Sequence, residues 1–377
     1  MSTPTGLDQA RLPAGVRSRI LSDINGLNMH VLEAGYEEPG RQLVLLLHGF
    51  PELAYSWRKV LMPLAEAGYH VVAPDQRGYG LTTGWDGDYH SDIAPFRIFN
   101  LVRDVMGLVH ALGYDSVAGV FGHDFGSPVA AWCGLIRPDI FRSVALMSAP
   151  IGQAASIANA AAGEDVHTAM AALPRPRKHY QWYYSTPEAN GNMVHCPQGM
   201  HDFLRAYYHH KSADWAGNKP YPLKGWRAEE LAKLPTYYIM DLECGMAETV
   251  AEEMPSPDEI ANCAWLCEQE LEVYSSTFGR TGLQGGLNWY RCATSSRFAS
   301  ELELFSGRTL DVPSIYIAGK SDWGIYQKPG DFERMQAEFC TDMRGCHLLE
   351  GAGHWVQQEQ SDEVAKLLKQ FLADLPA

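Results

Sequence analysis

Short runs of β-branched residues and leucine alternate with amphipathic stretches over the first 150 positions of the chain. Residues 29–34, 42–47, 69–73, 117–121 and 144–148 predict strands, and 56–67 and 99–112 predict helices with one apolar face. Near-continuous apolar strands separated by helices imply a largely parallel sheet covered on both sides, because successive parallel strands are joined by a crossover about a helix long. The alternation stops near residue 151. From there to about 300 the chain is rich in Trp, Tyr, Pro and Gly, without strand–helix alternation. It resumes with strands at 314–318 and 347–350 and helices at 331–339 and 361–372. A sheet that is interrupted by a largely helical insertion and then completed predicts one α/β fold carrying a cap. The expected division is a loose tail (1–15), a first core part (16–150), a cap (151–300) and a second core part (301–377). No internal repeat occurs, although 154–162 is alanine-heavy.

Sharp chemistry stands at the end of the fourth of these runs. Gly122-His123-Asp124-Phe125-Gly126 follows the strand ending at Phe121 and precedes a helical stretch at 128–136. This is the setting of a nucleophile elbow, where a tight strand-to-helix turn requires small residues two places on either side of the raised side chain. Here that side chain is Asp124. An aspartate is already ionised at pH 7 and can attack a saturated electrophilic carbon without a base, forming an ester to the enzyme. The ester must then be hydrolysed, which needs a base and an oxyanion site. A chance turn, or a simple helix cap, is the bland alternative for these five residues. The Asp-Phe-Gly string they contain has neither a Gly-rich loop nor a His-Arg-Asp sequence beside it, so a kinase reading is discarded.

The base candidate is His354 in Gly351-Ala352-Gly353-His354-Trp355, between a late strand and the last helix. Asp322, in the loop after strand 314–318, is the acid expected to orient it, and the order nucleophile, acid, histidine is that of an elbow-bearing sheet. The loop after the preceding core strand offers no alternative, since no acidic residue lies between Asp139 and Glu164. His123 is read as supporting the turn by hydrogen bonding. His48-Gly49-Phe50-Pro51 follows strand 42–47, and a cis bond at the proline is expected. The oxyanion hole is assigned to the backbone N–H groups of Phe50 and Phe125.

Composition narrows the classes. Of 377 residues, 46% are hydrophobic and 20% charged, as in a folded soluble protein. The net charge of −15 repels phosphates and anionic lipid, so neither nucleic acid nor a membrane is an expected partner. No apolar run reaches the roughly 18 to 20 residues of a membrane span. The first residues lack the order of a signal peptide, the eight cysteines are scattered, and no Asn-x-Ser/Thr acceptor occurs, which together suggest a reduced, cytoplasmic protein. Cys263 and Cys267 would share a helix face, but no second pair at metal-ligand spacing accompanies them, so they are read as packing. No metal or organic cofactor is expected.

The motifs His48-Gly49-Phe50-Pro51-Glu52, Asp75-Gln76-Arg77-Gly78-Tyr79-Gly80, Gly122-His123-Asp124-Phe125-Gly126 and Gly353-His354-Trp355 resemble those of the α/β-hydrolase-fold epoxide hydrolases, in the expected order from about residue 27 to the C-terminus. Two cap segments sharpen the resemblance. His179-Tyr180-Gln181-Trp182-Tyr183-Tyr184 and Asn288-Trp289-Tyr290-Arg291 match the places of that family's two ring-opening tyrosines. The resemblance implies that Tyr180 and Tyr290 hydrogen-bond the epoxide oxygen, a role suited to a phenol of pKa about 10. Packing is the alternative for any one of 18 tyrosines. Many family members carry Trp after the nucleophile, where this chain has Phe125. Trp182, Trp289, Trp323 and Trp355 are expected to line a pocket for a small, mainly apolar epoxide, which together with water is the expected partner, in a monomer or homodimer. Two rival readings stay open. One is a haloalkane or haloacid dehalogenase with the same nucleophile, disfavoured because Phe50 and Phe125 offer no side-chain donor to a halide; the other is a non-catalytic small-molecule receptor of the same fold.

Overall fold

The computed structural model of the protein describes residues 6–152 and 165–375. The alanine-heavy stretch noted above lies outside them. Eight strands form one sheet: β1 (Arg17–Ile24), β2 (Leu27–Ala34), β3 (Leu43–Leu47), β4 (His70–Pro74), β5 (Gly119–His123), β6 (Val144–Met147), β9 (Ser314–Gly319) and β10 (Met343–Leu349). Two three-residue strands, β7 (Arg177–His179) and β8 (Ile239–Asp241), pair separately within the insertion. The sheet order is β1-β2-β4-β3-β5-β6-β9-β10. From β4 to β10 all neighbours are parallel, while β1/β2 and β2/β4 are antiparallel. The first hairpin turns at Asn25 and Gly26, both at positive φ, as a two-residue turn matching strand twist requires.

Every residue of β3, β4, β5 and β6 is buried, which explains their unbroken apolar runs. Helices flank the sheet in packed pairs: Arg58–Glu66 against Ser361–Ala373, and Ile98–Ala111 against Gly126–Ile136. The stretch expected as a loose tail is tied down from residue 6 on. Leu7 N–H donates to Ser18 Oγ at 2.7 Å, Gln9 Nε2 donates to the Val16 carbonyl, and Arg11 pairs with Glu272.

Between β6 and β9 the described residues run mostly through helices, the longest Glu268–Thr281, and several of their contacts with the core are polar and specific. Arg58, buried at the start of a core helix, bonds Glu270, the Trp265 carbonyl and Gln358. Tyr208 donates to the Pro51 carbonyl at 2.7 Å, and Trp289 Nε1 donates to the Arg77 carbonyl at 2.9 Å. Gly78 and Gly285 meet backbone to backbone, where a Cβ on Gly78 would lie 2.6 Å from the Gly285 carbonyl carbon. No helix among the described residues is long and apolar enough to cross a membrane. Cys263 and Cys267 do not share a helix face: Cys263 ends helix Pro257–Asn262 and Cys267 caps the start of helix Glu268–Thr281.

Candidate active site

Asp124 sits at φ 50°, between β5 and the helix Gly126–Ile136. Three glycines make that position possible. A Cβ on Gly122 would lie 2.0 Å from the Gly126 carbonyl oxygen, one on Gly126 2.3 Å from the Leu47 carbonyl oxygen, and one on Gly49 2.4 Å from the side chain of Asp124. The turn is thus closely packed, and it sends the Asp124 carboxylate and, beside it, the Phe125 ring toward the cavity.

Phe50 N–H donates to Asp124 Oδ1 at 2.8 Å, placing one of the two expected oxyanion donors on the carboxylate. The Phe50–Pro51 bond is cis. The other donor, Phe125 N–H, belongs to the residue that opens the following helix, where amides have no partner within the helix. On the second carboxylate oxygen, His354 Nε2 lies 3.2 Å from Oδ2, off the line of a hydrogen bond. His354 Nδ1 faces both oxygens of Asp322 at 3.2 and 3.4 Å. Asp322 is itself held by the N–H of Gly324 at 2.7 Å.

The charges in this row depend on one another. Burial alone would raise the Asp124 pKa, but the His354 imidazole, with the charges of Lys211 and His123, holds the carboxyl far below its usual range. Burial and the Lys211 ammonium push His354 down, while Asp322 and Asp124 push it up and prevail. Tyr180 and Tyr290 are buried beside the same carboxylate. Burial first, and the Asp124 charge second, raise both phenols well above their ordinary value, so both remain protonated donors.

A cavity of about 850 Å³ opens onto this row, lined by Asp124, Phe125, Tyr180, Trp289 and Tyr290 and by apolar side chains including Pro128, Trp132 and Ile151. Tyr180 begins helix Tyr180–Tyr184, and Tyr290 lies in helix Gln284–Ala293. Their rings stand 5.9 Å apart, and Phe125 meets Tyr290 edge-on at 5.2 Å. Of the four tryptophans expected at the pocket, Trp289 alone lies on its wall. Trp182 is 39% exposed on the cap surface, against His167 and His179. Trp355 is fully buried behind His354, its N–H on the Tyr208 carbonyl, and Trp323 is buried against Tyr221.

Four groups of this site escaped the sequence reading. Glu52 was quoted only within a motif, yet its carboxylate receives His123 Nδ1 at 2.5 Å, while the other ring nitrogen of His123 reaches the His354 carbonyl at 2.6 Å. Lys211 is buried among the rings of Tyr207, Tyr237, Tyr238 and Trp355, and its carbonyl accepts from His354 N–H at 2.9 Å. Glu359 accepts the N–H groups of Ala213, Gly353 and Trp355, clamping the histidine loop to the end of cap helix Gly199–Lys211. Gln327 accepts from the Tyr180 hydroxyl at 3.1 Å. No sequence signal separated these residues from ordinary polar loop positions, since each has at least one of its partners far away in the chain, His123 for Glu52, His354 for Lys211, Ala213 for Glu359 and Tyr180 for Gln327. Among the described residues no cluster of His, Cys, Asp and Glu has the arrangement of a metal site.

A buried carboxylate on a strained elbow, an imidazole and second carboxylate behind it, and a parallel sheet below define an α/β hydrolase, and the family described as the alpha/beta hydrolase fold matches residues 42–239. Over nearly its whole length the chain is 33% identical to epoxide hydrolase A of Mycobacterium tuberculosis, covering 96% of this chain and 99% of that one. Among solved structures, an epoxide hydrolase from an endophytic Streptomyces superposes with a TM-score of 0.76 at 31% identity, covering 96% of each chain. Epoxide hydrolase A from Mycobacterium thermoresistibile does so with a TM-score of 0.75, also at 31% identity, covering 96% and 99%. The chain belongs to the epoxide hydrolase family of the α/β hydrolase fold.

Proposed function

We propose that this protein hydrolyses an apolar epoxide to a vicinal diol, with Asp124 as nucleophile. One observation carries the reading: the ionised Asp124 carboxylate, held by Phe50 N–H and next to His354, faces a cavity that also receives the hydroxyl-bearing rings of Tyr180 and Tyr290. The insertion at 151–300 then acts as a lid that supplies both phenols.

In the first step Asp124 attacks a ring carbon, the carbon–oxygen bond of the epoxide breaks, and the departing oxygen takes a proton from one phenol while the other hydrogen-bonds it. As the carboxylate charge is consumed, the main electrostatic brake on phenol ionisation fades, so proton donation and bond formation reinforce each other. In the second step His354, oriented by Asp322, takes a proton from water, and the hydroxide adds to the ester carbonyl. Its oxyanion is stabilised by the N–H groups of Phe50 and Phe125. Collapse releases the diol oxygen, which is protonated by His354, and the remaining proton restores the phenol. One diol oxygen therefore comes from Asp124, which regains an oxygen from water.

The substrate is a small, mainly apolar epoxide, as the cavity lining favours. No partner chain is needed, since one chain supplies every group named, so a monomer or a homodimer serves equally. The eight free cysteines fit a reducing, cytoplasmic setting. The dehalogenase alternative loses support: the indole N–H groups of Trp289 and Trp355 are spent on carbonyls, Trp323 keeps its N–H free of a partner among the described residues but does not line the cavity, and the side chains of Phe50 and Phe125 carry no donor. The test is His354→Gln with a turned-over epoxide. The variant is expected to accumulate an adduct of enzyme plus substrate mass on Asp124; wild-type-like turnover with no adduct would overturn the assignment of the two steps.

A further inference from the structure

The two phenols of the lid are not equivalent. Tyr180 oxygen accepts from Gln181 Nε2 at 3.1 Å and places its one hydrogen on Gln327 Oε1, also at 3.1 Å. Among the described residues no protein group accepts from the Tyr290 hydroxyl, which lines the same cavity. In this arrangement the Tyr180 proton is held by a protein acceptor and the Tyr290 proton, among the described residues, is not. Gln327 lies five residues beyond Asp322, just past the short turn Trp323–Ile325, on the loop that also presents the acid to His354. It is half-buried and forms part of the cavity wall.

A primary amide is suited to this position because its two ends have opposite character. Its oxygen only accepts, its nitrogen only donates, and the torsion that exchanges them is soft and roughly two-fold. With the oxygen toward Tyr180, the amide stabilises the empty site. With the nitrogen toward Tyr180, the phenol oxygen receives two N–H donors, from Gln181 and Gln327, and its hydrogen is released into the cavity. Two donors on a phenol oxygen also stabilise the phenolate that forms as it gives up its proton. A carboxylate at 327 could only hold the proton, and an alkyl group could only release it.

We propose that Gln327 is the positioning residue that controls the Tyr180 proton, accepting it in the empty site and, by turning its amide, freeing it for the epoxide oxygen while donating to the phenol. This rests on the ring-opening role proposed above for Tyr180. It makes Tyr290 the constitutive donor and Tyr180 the conditional one.

The experiment is single-turnover ester formation, followed by quenched-flow intact mass, for Gln327→Leu and Gln327→Glu, each with Tyr180 intact and with Tyr180→Phe. Ester hydrolysis, read in the same reaction, reports whether Asp124, Asp322 and His354 remain in place. With Tyr180 intact, Gln327→Glu is expected to slow ester formation by about 10- to 100-fold, the worth of a hydrogen bond to a charged group, with Gln327→Leu between it and the parent. In the Tyr180→Phe background the Leu change is expected to have no further effect, and hydrolysis of the ester is expected to be unchanged throughout. Slowing by Gln327→Leu that persists undiminished without the Tyr180 hydroxyl would overturn the proposal, as would unchanged ester formation in both Gln327 variants. Failure of the underlying reading is distinguished by Tyr180→Phe alone: if that change leaves ester formation at the parent rate, Tyr180 has no part in ring opening, and the role of Gln327 falls with it.

Discussion

At His354 the proposed mechanism makes two opposite demands. Between two carboxylates the imidazole binds a proton tightly, yet the second step needs it neutral. The covalent intermediate resolves the conflict, because esterification removes the Asp124 charge, one of the two that raise the His354 pKa. The base therefore becomes competent when it is needed. The sign follows directly: ester hydrolysis is lost as pH falls through the His354 pKa of the ester, and that pKa lies below the value of the free enzyme. Lys211 acts in the same direction, since an ammonium near the site disfavours a second cation. Replacing it by the uncharged, similarly shaped methionine is expected to move the acid limb of single-turnover hydrolysis to higher pH, with Lys211→Arg restoring it. A Lys211→Met enzyme whose limb stays in place, though its rate falls, would reduce this lysine to packing.

The elbow depends on three segments meeting with no side chain between them. The turn after β3 brings Gly49 against the Asp124 side chain, and β5 and its helix bring Gly122 against Gly126. Gly49→Ala would force a methyl within 2.4 Å of the Asp124 side chain and displace the oxyanion turn with it. Since a shift of about 1 Å can cost about 100-fold in rate, ester formation is expected to fall by at least that factor. Thermal melting should fall far less, because the strand cores are untouched. Asp124, Asp322 and His354, which the fold brings together, could be singled out in the sequence because each stands after a strand at a turn of recognisable composition. The central strands were legible for the same reason, all being buried on both faces. What was not legible shares a physical cause. β1 and the start of β10 form sheet edges, carry Arg17, Arg19 and Arg344, and are only partly buried, so no apolar run marks them. Of the expected pocket tryptophans Trp182, Trp323 and Trp355 lie off the wall, because aromatic residues stand on the surface, in the core and on the wall alike, and composition does not separate these settings. Gln327 and Glu359 act through hydrogen bonds that only the fold brings together.

Over the whole molecule, the field and the site make different contributions to substrate choice. The chain carries a net charge of −15, a far field that repels anions at low ionic strength. The cavity does not continue that field. Of the charged side chains around it other than the reacting Asp124, Arg97 pairs with Glu301 and Arg334 with Asp331, and the two that remain, Lys328 and Glu338, are of opposite sign. With the charges around the cavity balanced apart from Asp124, a neutral epoxide is expected to meet little net electrostatic term on approach, whereas an epoxide bearing a carboxylate is expected to be repelled by the molecule. Salt screens such repulsion beyond about 8 Å at physiological ionic strength. For a neutral epoxide, kcat/KM is therefore expected to stay level as ionic strength is raised, apart from small effects on solubility. For a matched epoxide with a carboxylate at its far end it should rise, with the change confined to KM because the reacting groups are unaltered. A fall with salt for the anionic substrate would mean that Arg97, Lys328 or Arg334 captures the carboxylate directly. In that case the near charges of the mouth, and not the acidity of the whole chain, would govern which epoxides enter.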